Sequence, residues 1–259
     1  MKAVILAGGY GTRISEESIL KPKPLIEIGN SPIIWHIMKY FSCYGVKDFI
    51  ICCGYKGYLI KEFFFNYKFH NSDFVINLKN EKIKTLTSKS EDWNITLVDT
   101  GQDTLTGGRI KRIGKYLGKN ENFFLTYGDG LTDANLKQEL MSHIKSKKKS
   151  TILAVNNPGR FGNIEINKNN VVVDFKEKPF RATNEFINGG FMIMNSSLIS
   201  LIKHDTNSLE GDILPKIAKA NQLNAFRHNG FWQPMDTLRD KIKLEEMWLK
   251  NKAPWKIWK

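Results

Sequence analysis

Two segments near the N-terminus contain residues that are suited to binding phosphate groups. A short apolar run ends in the glycine-rich loop GGYGTR, residues 8–13. Glycines let the backbone approach a ligand closely, and their N–H groups can surround phosphate oxygens. Arg13 adds a rigid cationic fork, and Lys23 follows in the stiff segment KPKP, residues 21–24. The glycines alone also fit a tight strand-to-helix turn, but together with these cations they predict a polyphosphate site.

Two aspartates are candidate ligands for a divalent cation. Asp129 follows an apolar strand pattern and is flanked by Gly128 and Gly130. Ligands of open α/β sheets bind at the carboxyl ends of strands, so Asp129 is a candidate Mg²⁺ ligand. The alternative is a turn aspartate that binds its own backbone. Asp236 starts a helical pattern, so it is either a plain N-cap or a second metal ligand that meets Asp129 in space.

Two tripeptides further along the chain suit a hydroxyl-rich ligand. They are Glu177-Lys178-Pro179 and Asn188-Gly189-Gly190. A carboxylate, an amide and exposed glycine backbone can pair with sugar hydroxyls, which both donate and accept hydrogen bonds. The Lys178 ammonium is suited to a second phosphate. Either tripeptide alone is also typical of an ordinary turn.

The elements that must position these residues follow an alternating α/β pattern. Strand and helix signals alternate up to about residue 156, which implies parallel strands joined by right-handed crossovers. The predicted strands in this part are 4–6, 47–54, 94–100, 122–127 and 151–156. Four helices are predicted between these strands. The first begins at Pro32 with Ser31 as its N-cap, the second spans 56–67, the third includes Arg109, and the fourth spans 133–146. After Pro158 we expect strands at 163–166, 171–177, 186–194 and 223–228, and helices at 196–203, 210–220 and 236–250.

The pattern predicts one compact core with an appendage. The core spans residues 1–230, and residues 231–259 form a helical appendage packed on it. Residues 68–92 are rich in Asn, Lys, Ser and Thr and interrupt the alternation. An excursion of this length is more often functional than idle, and we expect it to contact another subunit.

The composition narrows the classes of function. The chain has 259 residues and a net charge of +13 from 39 basic and 26 acidic residues. Such a charge is compatible with nucleic acid binding, but the lysines are scattered, which favours attraction of a polyanionic small substrate. The three cysteines predict buried free thiols rather than disulfides or a metal site. No run is long and apolar enough for a membrane span, and no leader pattern precedes the first strand, so we expect a cytoplasmic protein.

The motifs together resemble a known family. LAGGYGTR (6–13), KPKP (21–24), YGDG (127–130), EKP (177–179) and NGG (188–190), in this order and spacing, resemble the sugar-1-phosphate nucleotidyltransferases. Longer segments, such as GFWQPMDTLRDK (230–241), are similar to the members that join CTP to glucose 1-phosphate. The resemblance implies a Rossmann-like (GT-A-like) fold, with a mixed, mostly parallel sheet flanked by helices and a small C-terminal helical and β appendage. It also implies the products CDP-glucose and diphosphate, Mg²⁺ as cofactor, and a role in deoxysugar synthesis for surface polysaccharides such as lipopolysaccharide O-antigen. The implied assembly is a homo-oligomer with the nucleotide site near a subunit interface, without nucleic acid or membrane partners.

The resemblance also implies roles for individual residues. Arg13 and Lys23 are the implied catalytic cations, and Asp129 and Asp236 the implied Mg²⁺ ligands. The nucleotide is expected at Leu6, Ala7, Gly8, Gly9, Tyr10, Gly11, Thr12, Thr104, Arg109 and Gly128. The sugar phosphate is expected at Glu177, Lys178, Asn188 and Gly189. Tyr10 departs from the smaller or aliphatic residue expected inside the first motif, although backbone contacts at that position tolerate it.

Other functions remain open at this stage. A thymidylyl- or uridylyltransferase would share these motifs, since no residue explains a preference for cytosine. A non-catalytic protein that binds nucleotide sugars is the alternative from another class, and it is disfavoured because Arg13, Lys23 and Asp129 are all present.

Overall fold

A computed structural model of the chain describes residues 1–11, 14, 20–156, 163–176 and 186–258. The strands, numbered β1 to β15 in chain order, are Ala3–Ala7, Glu27–Ile28, Ser31–Pro32, Asp48–Cys53, Phe74–Asn77, Lys82–Thr85, Asn94–Asp99, Asn122–Tyr127, Gly130–Thr132, Ser150–Asn156, Asn163–Ile166, Val172–Lys176, Phe186–Asn195, Leu223–His228 and Trp232–Pro234. The α-helices, numbered α1 to α6, are Ile33–Ser42, Gly57–His70, Thr106–Ile113, Leu136–Ser146, Leu214–Lys219 and Leu238–Leu249. None of the helices in the described ranges is both long and apolar enough to cross a membrane.

A mixed sheet with a parallel centre forms the core of the molecule. Its order is β12-β11-β13-β8-β1-β4-β7, and β10 pairs with β13 on one edge and with β14 on the other. Strands β8, β1, β4 and β7 are parallel, whereas β13 runs antiparallel to β8. The predicted α/β fold with a mixed, mostly parallel sheet flanked by helices is confirmed.

Both faces of the central sheet are covered. All five residues of β1 are buried, and their side chains alternate between two apolar clusters. One cluster includes Ile5, residues of α1, and Trp255 near the C-terminus. The other includes Val4 and residues of α3 and α5. Because a strand buried on both faces has no polar side, β1 appears in the sequence as a continuous apolar run.

Two predicted helix starts are displaced. Pro32 does not begin α1: it pairs with Glu27 in the small β2–β3 ribbon, and the helix begins at Ile33. Asp236 does not cap α6, because the cap is Thr237, whose side chain accepts from the Asp240 N–H in a capping box. Asp236 therefore lies outside the helix, and the N-cap alternative for it is wrong.

Two other predicted helices have different geometry. Residues Ser196–Leu201 form 3₁₀ turns, and Leu209–Ile213 form a π-helical turn before α5. The expected start of a helix at 133 is also early, since β9 precedes α4 and Asn135 is its cap. Residues 68–92 contain the last turn of α2 and the β5–β6 hairpin.

Candidate active site

A cleft of about 500 Å³ opens at the carboxyl ends of the central strands. The strands β1 and β8 are neighbours, and the chain leaves their carboxyl ends at Gly8 and Gly128. Ligand sites of open α/β sheets lie at such ends. Twelve of the predicted site residues line this one cleft: Leu6, Ala7, Gly8, Gly9, Tyr10, Gly11, Lys23, Thr104, Arg109, Gly128, Asp129 and Asp236.

The Lys23 ammonium joins the two predicted metal ligands. Its Nζ lies 2.7 Å from Asp129 Oδ2 and 2.6 Å from Asp236 Oδ1. Burial disfavours the charged ammonium, but the two carboxylates outweigh burial, so the pKa of Lys23 is raised above its ordinary value. The carboxylate of Asp129 is thus paired with a cation, and the alternative of a self-satisfied turn aspartate is wrong.

Short local contacts bring these three residues together. Strand β15 pairs antiparallel with β9, and the Met235 N–H donates to the Asp129 carbonyl at 2.8 Å, which places Asp236 beside Asp129. Lys23 has a proline on each side, Pro22 and Pro24, and is the first residue of a short 3₁₀ turn. The Pro24 ring packs on Gly128, where an added Cβ would come within 2.9 Å of the ring. A glycine is required there because the proline lies so close.

The donor set around Lys23 fits a divalent cation. Two carboxylates already hold one positive charge between them, and Mg²⁺ in proteins is commonly bound by one or two carboxylates together with substrate phosphates. No group of three or more His, Cys, Asp or Glu side chains with the arrangement of a metal site occurs in the described ranges. A cation held by Asp129 and Asp236 would take its other ligands from substrate oxygens and water.

Arg109, a predicted nucleotide contact, lines the cleft and also binds the backbone of the loops around it. Its guanidinium is buried and donates to the carbonyls of Gly8, Gly101 and Gln102 at 3.0, 2.7 and 3.1 Å, and to Thr100 Oγ1 at 2.8 Å. A Cβ at Gly8 would come within 2.2 Å of the guanidinium. Arg109 therefore ties together the loops that form the cleft, and part of the glycine pattern exists to make room for it.

A partly buried carboxylate that the sequence did not single out lies beside the cleft. Glu210 accepts hydrogen bonds from Tyr127 and, at 2.7 and 2.9 Å, from the hydroxyls of Thr106 and Ser208. Burial raises the pKa of Glu210, whereas the Thr106 hydrogen bond lowers it. Thr106 and Tyr127 line the cleft. Glu210 lies on the π-helical turn, and nothing in its local sequence signals this role.

Two of the four predicted sugar-binding residues lie within the described residues, and two lie outside them. Asn188 and Gly189 lie on β13 and do not line the cleft. The Gly189 carbonyl accepts a hydrogen bond from the Trp232 indole N–H at 2.6 Å. Trp232 lines a second cavity of about 690 Å³ at the ends of β10 and β14. Glu177 and Lys178 lie outside the described residues, as do Thr12 and Arg13 of the phosphate loop.

The sequence as a whole matches a described family. The profile of the nucleotidyl transferase family matches residues 2–246. The chain belongs to the nucleotidyl transferase family. The glucose-1-phosphate cytidylyltransferase of Salmonella typhimurium is 52% identical to it over 258 residues, and a probable glucose-1-phosphate cytidylyltransferase of Bacillus subtilis is 38% identical over 259 residues. Each alignment covers 100% of both chains. The predicted family and enzyme class, a nucleotidyltransferase homologous throughout to glucose-1-phosphate cytidylyltransferases, are confirmed.

Solved structures agree with the fold. HddC from Yersinia pseudotuberculosis superposes with a TM-score of 0.77 at 25% identity, over 95% of this chain and 99% of that protein. A putative glucose-1-phosphate thymidylyltransferase from Bacillus anthracis has a TM-score of 0.74 at 19% identity, over 95% of this chain and 94% of that protein. This last similarity is evidence for the fold only.

Proposed function

We propose that this nucleotidyltransferase transfers CMP from CTP to α-D-glucose 1-phosphate and releases diphosphate. The observation that carries the proposal is the Lys23 ammonium between two carboxylates, at one end of a cleft whose other wall is a glycine-rich loop. That arrangement suits a reaction at a polyphosphate. The choice of cytosine and glucose rests on the full-length identity to the Salmonella typhimurium enzyme.

The reaction needs no nucleophile from the protein. A phosphate oxygen of glucose 1-phosphate attacks the α-phosphorus of CTP in line, and the bond to diphosphate breaks. Catalysis is then positioning and charge neutralisation. In this proposal Leu6 to Gly11 hold the nucleotide, Thr12 and Arg13 hold its phosphates, and Lys23 neutralises charge at the reacting phosphates.

Asp129 and Asp236 hold the metal ion in this proposal. Mg²⁺ supplies charge neutralisation at the phosphate oxygens when bound. Lys23 and a divalent cation are both attracted to these carboxylates, so a bound cation would leave the Lys23 ammonium available to substrate phosphate. Without cations, the two carboxylates would repel a triphosphate bound beside them. The site therefore needs both the Lys23 ammonium and the divalent cation.

The sugar side is proposed at β13 and its neighbours. Asn188 and Gly189 contact the sugar phosphate, together with Glu177 and Lys178. The Trp232 indole, bonded to Gly189, fixes this strand against the second cavity.

The product and the assembly complete the proposal. CDP-glucose would supply deoxysugar synthesis for surface polysaccharides in the cytoplasm. The chain acts as a homo-oligomer, and the support is the β5–β6 hairpin, in which all eight strand residues are exposed. An isolated two-stranded hairpin is at best marginally stable in water, so it needs a partner surface.

A substrate panel tests the reaction. Purified enzyme is given glucose 1-phosphate and Mg²⁺ with CTP, UTP, dTTP, GTP or ATP in turn, and diphosphate release is measured. We expect CTP to be used best and release to require the sugar phosphate. Faster turnover of UTP or dTTP would overturn the base assignment, and CTP binding without turnover would favour a non-catalytic nucleotide-sugar-binding protein.

A substitution of Asp129 tests its proposed role as a metal ligand. Asp129→Ala should abolish diphosphate release while the far-ultraviolet circular dichroism and the Tm stay near wild type. Asp92→Ala removes an exposed carboxylate outside the cleft and serves as the control. Full activity of Asp129→Ala would contradict the proposed metal site.

A further inference from the structure

A hydrogen bond crosses the mouth of the cleft. The Tyr10 hydroxyl donates to Asp103 Oδ1 at 2.6 Å, and the Gln102 amide nitrogen donates to the Tyr10 oxygen at 3.3 Å. Tyr10 belongs to the loop after β1, whereas Gln102 and Asp103 belong to the loop after β7. All three line the cleft, so the bond joins its two opposite walls.

The Tyr10 ring is held in place from a second direction. Its centroid lies 5.1 Å from that of Tyr55, with the planes tilted by 42°. Tyr55 is itself fixed to the first loop, because its N–H donates to the Gly8 carbonyl at 3.2 Å. Aromatic pairs at this spacing attract one another beyond the area that they bury. The ring is therefore oriented toward Asp103 although it remains 44% exposed.

The loop opposite Tyr10 is held on two sides. The buried Arg109 binds the carbonyls of Gly101 and Gln102 from beneath. Tyr10 binds the Asp103 side chain from the mouth of the cleft. Thr104, the predicted nucleotide contact, follows directly and lines the same cleft. Without the Tyr10–Asp103 hydrogen bond, residues 102–104 would be held only by the contacts of Arg109.

We propose that Tyr10 and Asp103 act together as a positioning pair that keeps residues 102–104 in the conformation that binds the nucleotide. This rests on the proposed function, in which the nucleotide occupies this cleft. The nucleotide contact expected at Tyr10 uses only its backbone, and a backbone contact has no need of a hydroxyl. The role of the Tyr10 hydroxyl and the Asp103 carboxylate is therefore the hydrogen bond that they form with each other.

The pair acts on binding and not on the chemical step. A preformed loop binds the substrate and the transition state equally, so its loss raises KM and leaves kcat unchanged. At this exposed position the bond is expected to contribute as much as an ordinary hydrogen bond, which corresponds to a change of about 2- to 13-fold. We therefore expect Tyr10→Phe to raise the KM and the Kd for CTP by about that factor, with the KM for glucose 1-phosphate unchanged.

A double-mutant cycle tests the pair. Tyr10→Phe, Asp103→Ala and the double variant are compared in kcat, in both KM values and in CTP affinity by calorimetry, with Tm as the check on folding. Each single variant should weaken CTP binding alike, and the double variant should be no weaker than either one. Asp103→Asn keeps an acceptor oxygen and should recover most of the affinity. Tyr116→Phe, on an exposed tyrosine outside the cleft, should match wild type.

The outcomes separate this proposal from the proposed function. Unchanged affinity in Tyr10→Phe, or effects that multiply in the double variant, would overturn the positioning pair. A change confined to kcat would overturn it as well. If wild type binds CTP without transferring CMP, the proposed function fails, and the calorimetric cycle still decides the pair.

Discussion

Lys23 lies between two carboxylates at one end of the cleft. Its side chain is 11% exposed and its ammonium contacts two carboxylates that a divalent cation also attracts. A charge removed from water in this way must be compensated by partners, and the partners here are the proposed metal ligands. Lys23 therefore pairs with both carboxylates, and in the proposed site it would compete with the cation for them.

The first prediction concerns this competition. Lys23→Ala should lower kcat by about 10²- to 10³-fold, in line with the loss of one preorganised charge donor. The same variant should bind Mn²⁺, used as a paramagnetic probe in place of Mg²⁺, more tightly than wild type, because the competing ammonium is gone. Water-proton relaxation measures that affinity without turnover.

Lys21→Ala is the matched control for this measurement. Lys21 lies in the same segment, but its ammonium pairs with Glu27 at the surface. It should leave both kcat and Mn²⁺ affinity near wild type. Unchanged Mn²⁺ affinity in Lys23→Ala would contradict the competition, whatever the effect on kcat.

Glu139 is a buried acid away from the cleft. It is fully buried on α4, and neither carboxylate oxygen has a hydrogen-bond partner among the described residues. Burial raises its pKa to about 8. The folded protein therefore holds this proton between the ordinary carboxyl pKa and pH 8, where the unfolded chain has released it.

The second prediction is the pH dependence that follows. Because the folded state binds more protons in this window, stability falls as pH rises from about 4.5 to 8, by at most about 1.4 kcal/mol per pH unit from this group. Glu139→Gln should remove this decline and be more stable than wild type at pH 8. Urea unfolding from pH 5 to 9 measures it, with the exposed Glu62→Gln as control. Parallel profiles for wild type and Glu139→Gln would show that the group does not titrate in this way.

At the scale of elements, a short strand connects the C-terminal residues to the cleft. Trp255 is fully buried, and its ring stacks on Phe231 at 5.5 Å between centroids. Phe231 directly precedes β15, the strand that places Asp236 beside Asp129. The buried His36 donates from Nε2 to the Ile28 carbonyl at 2.8 Å, which leaves Nδ1 to accept from the Trp255 indole at 3.4 Å. Packing of the C-terminal residues therefore supports one side of the proposed metal site.

The third prediction tests this connection. Trp255→Ala should lower the free energy of unfolding by about 3–5 kcal/mol, the usual range for a buried tryptophan. It should also reduce kcat at temperatures where the variant is still folded, because β15 loses its support. Trp255→Phe keeps a stacking ring and should recover most of both losses. The exposed Ile257→Ala should change neither quantity, and full kcat in folded Trp255→Ala would separate the C-terminal segment from the site.

The alternating part of the fold was predictable because four of its strands, β1, β4, β8 and β10, are buried on both faces over most of their length. The run Val4 to Leu6 and the stretch 47–54 show this directly as apolar sequence. Helix starts were less predictable, since Pro32 and Asp236 both fit a helix N-terminus by residue type. Strand pairing keeps both residues out of the helices: Pro32 lies in a small ribbon, and Asp236 comes just after the end of β15.

The candidate site was predictable to the extent that its residues lie in motifs. Lys23, Asp129 and Asp236 were identified separately and meet within hydrogen-bond distance. Glu210 was missed because its role depends on Tyr127 and Thr106, which come from distant parts of the chain. A single sequence has no signal for such a contact.

At the scale of the whole molecule, the exposed hairpin and the adjoining helix form an apolar surface. Leu78 at the hairpin turn is 82% exposed, and Phe65 on α2 is 80% exposed. The Phe69 and Phe74 rings contact each other at 5.8 Å and join the helix to the hairpin. Exposed apolar surface of this kind is typical of an interface, and we propose a second copy of the chain as its partner.

The fourth prediction follows from this surface. Leu78→Asp with Ile76→Asp should reduce the mass of the protein in solution, measured by sedimentation equilibrium, because burial of a carboxylate opposes association. Met141→Asp places the same charge at an exposed apolar position on α4 and should leave the mass unchanged. A monomeric wild type, or a hairpin variant with the wild-type mass, would contradict the proposed interface.

The contacts of Arg109 restrict which mutations the cleft can accept. Added methyl groups at Gly8 and Gly54 would lie 2.2 and 2.4 Å from the same guanidinium, whose nitrogens hold the carbonyls of both walls. At Gly8 we expect a larger side chain to require a smaller residue at 109, which in turn releases the walls, whereas at Gly54 the Gly8 carbonyl oxygen, 2.7 Å from the added carbon, blocks it as well. A library built to alter base preference should vary these positions jointly, because single changes at them fail for reasons unrelated to the base.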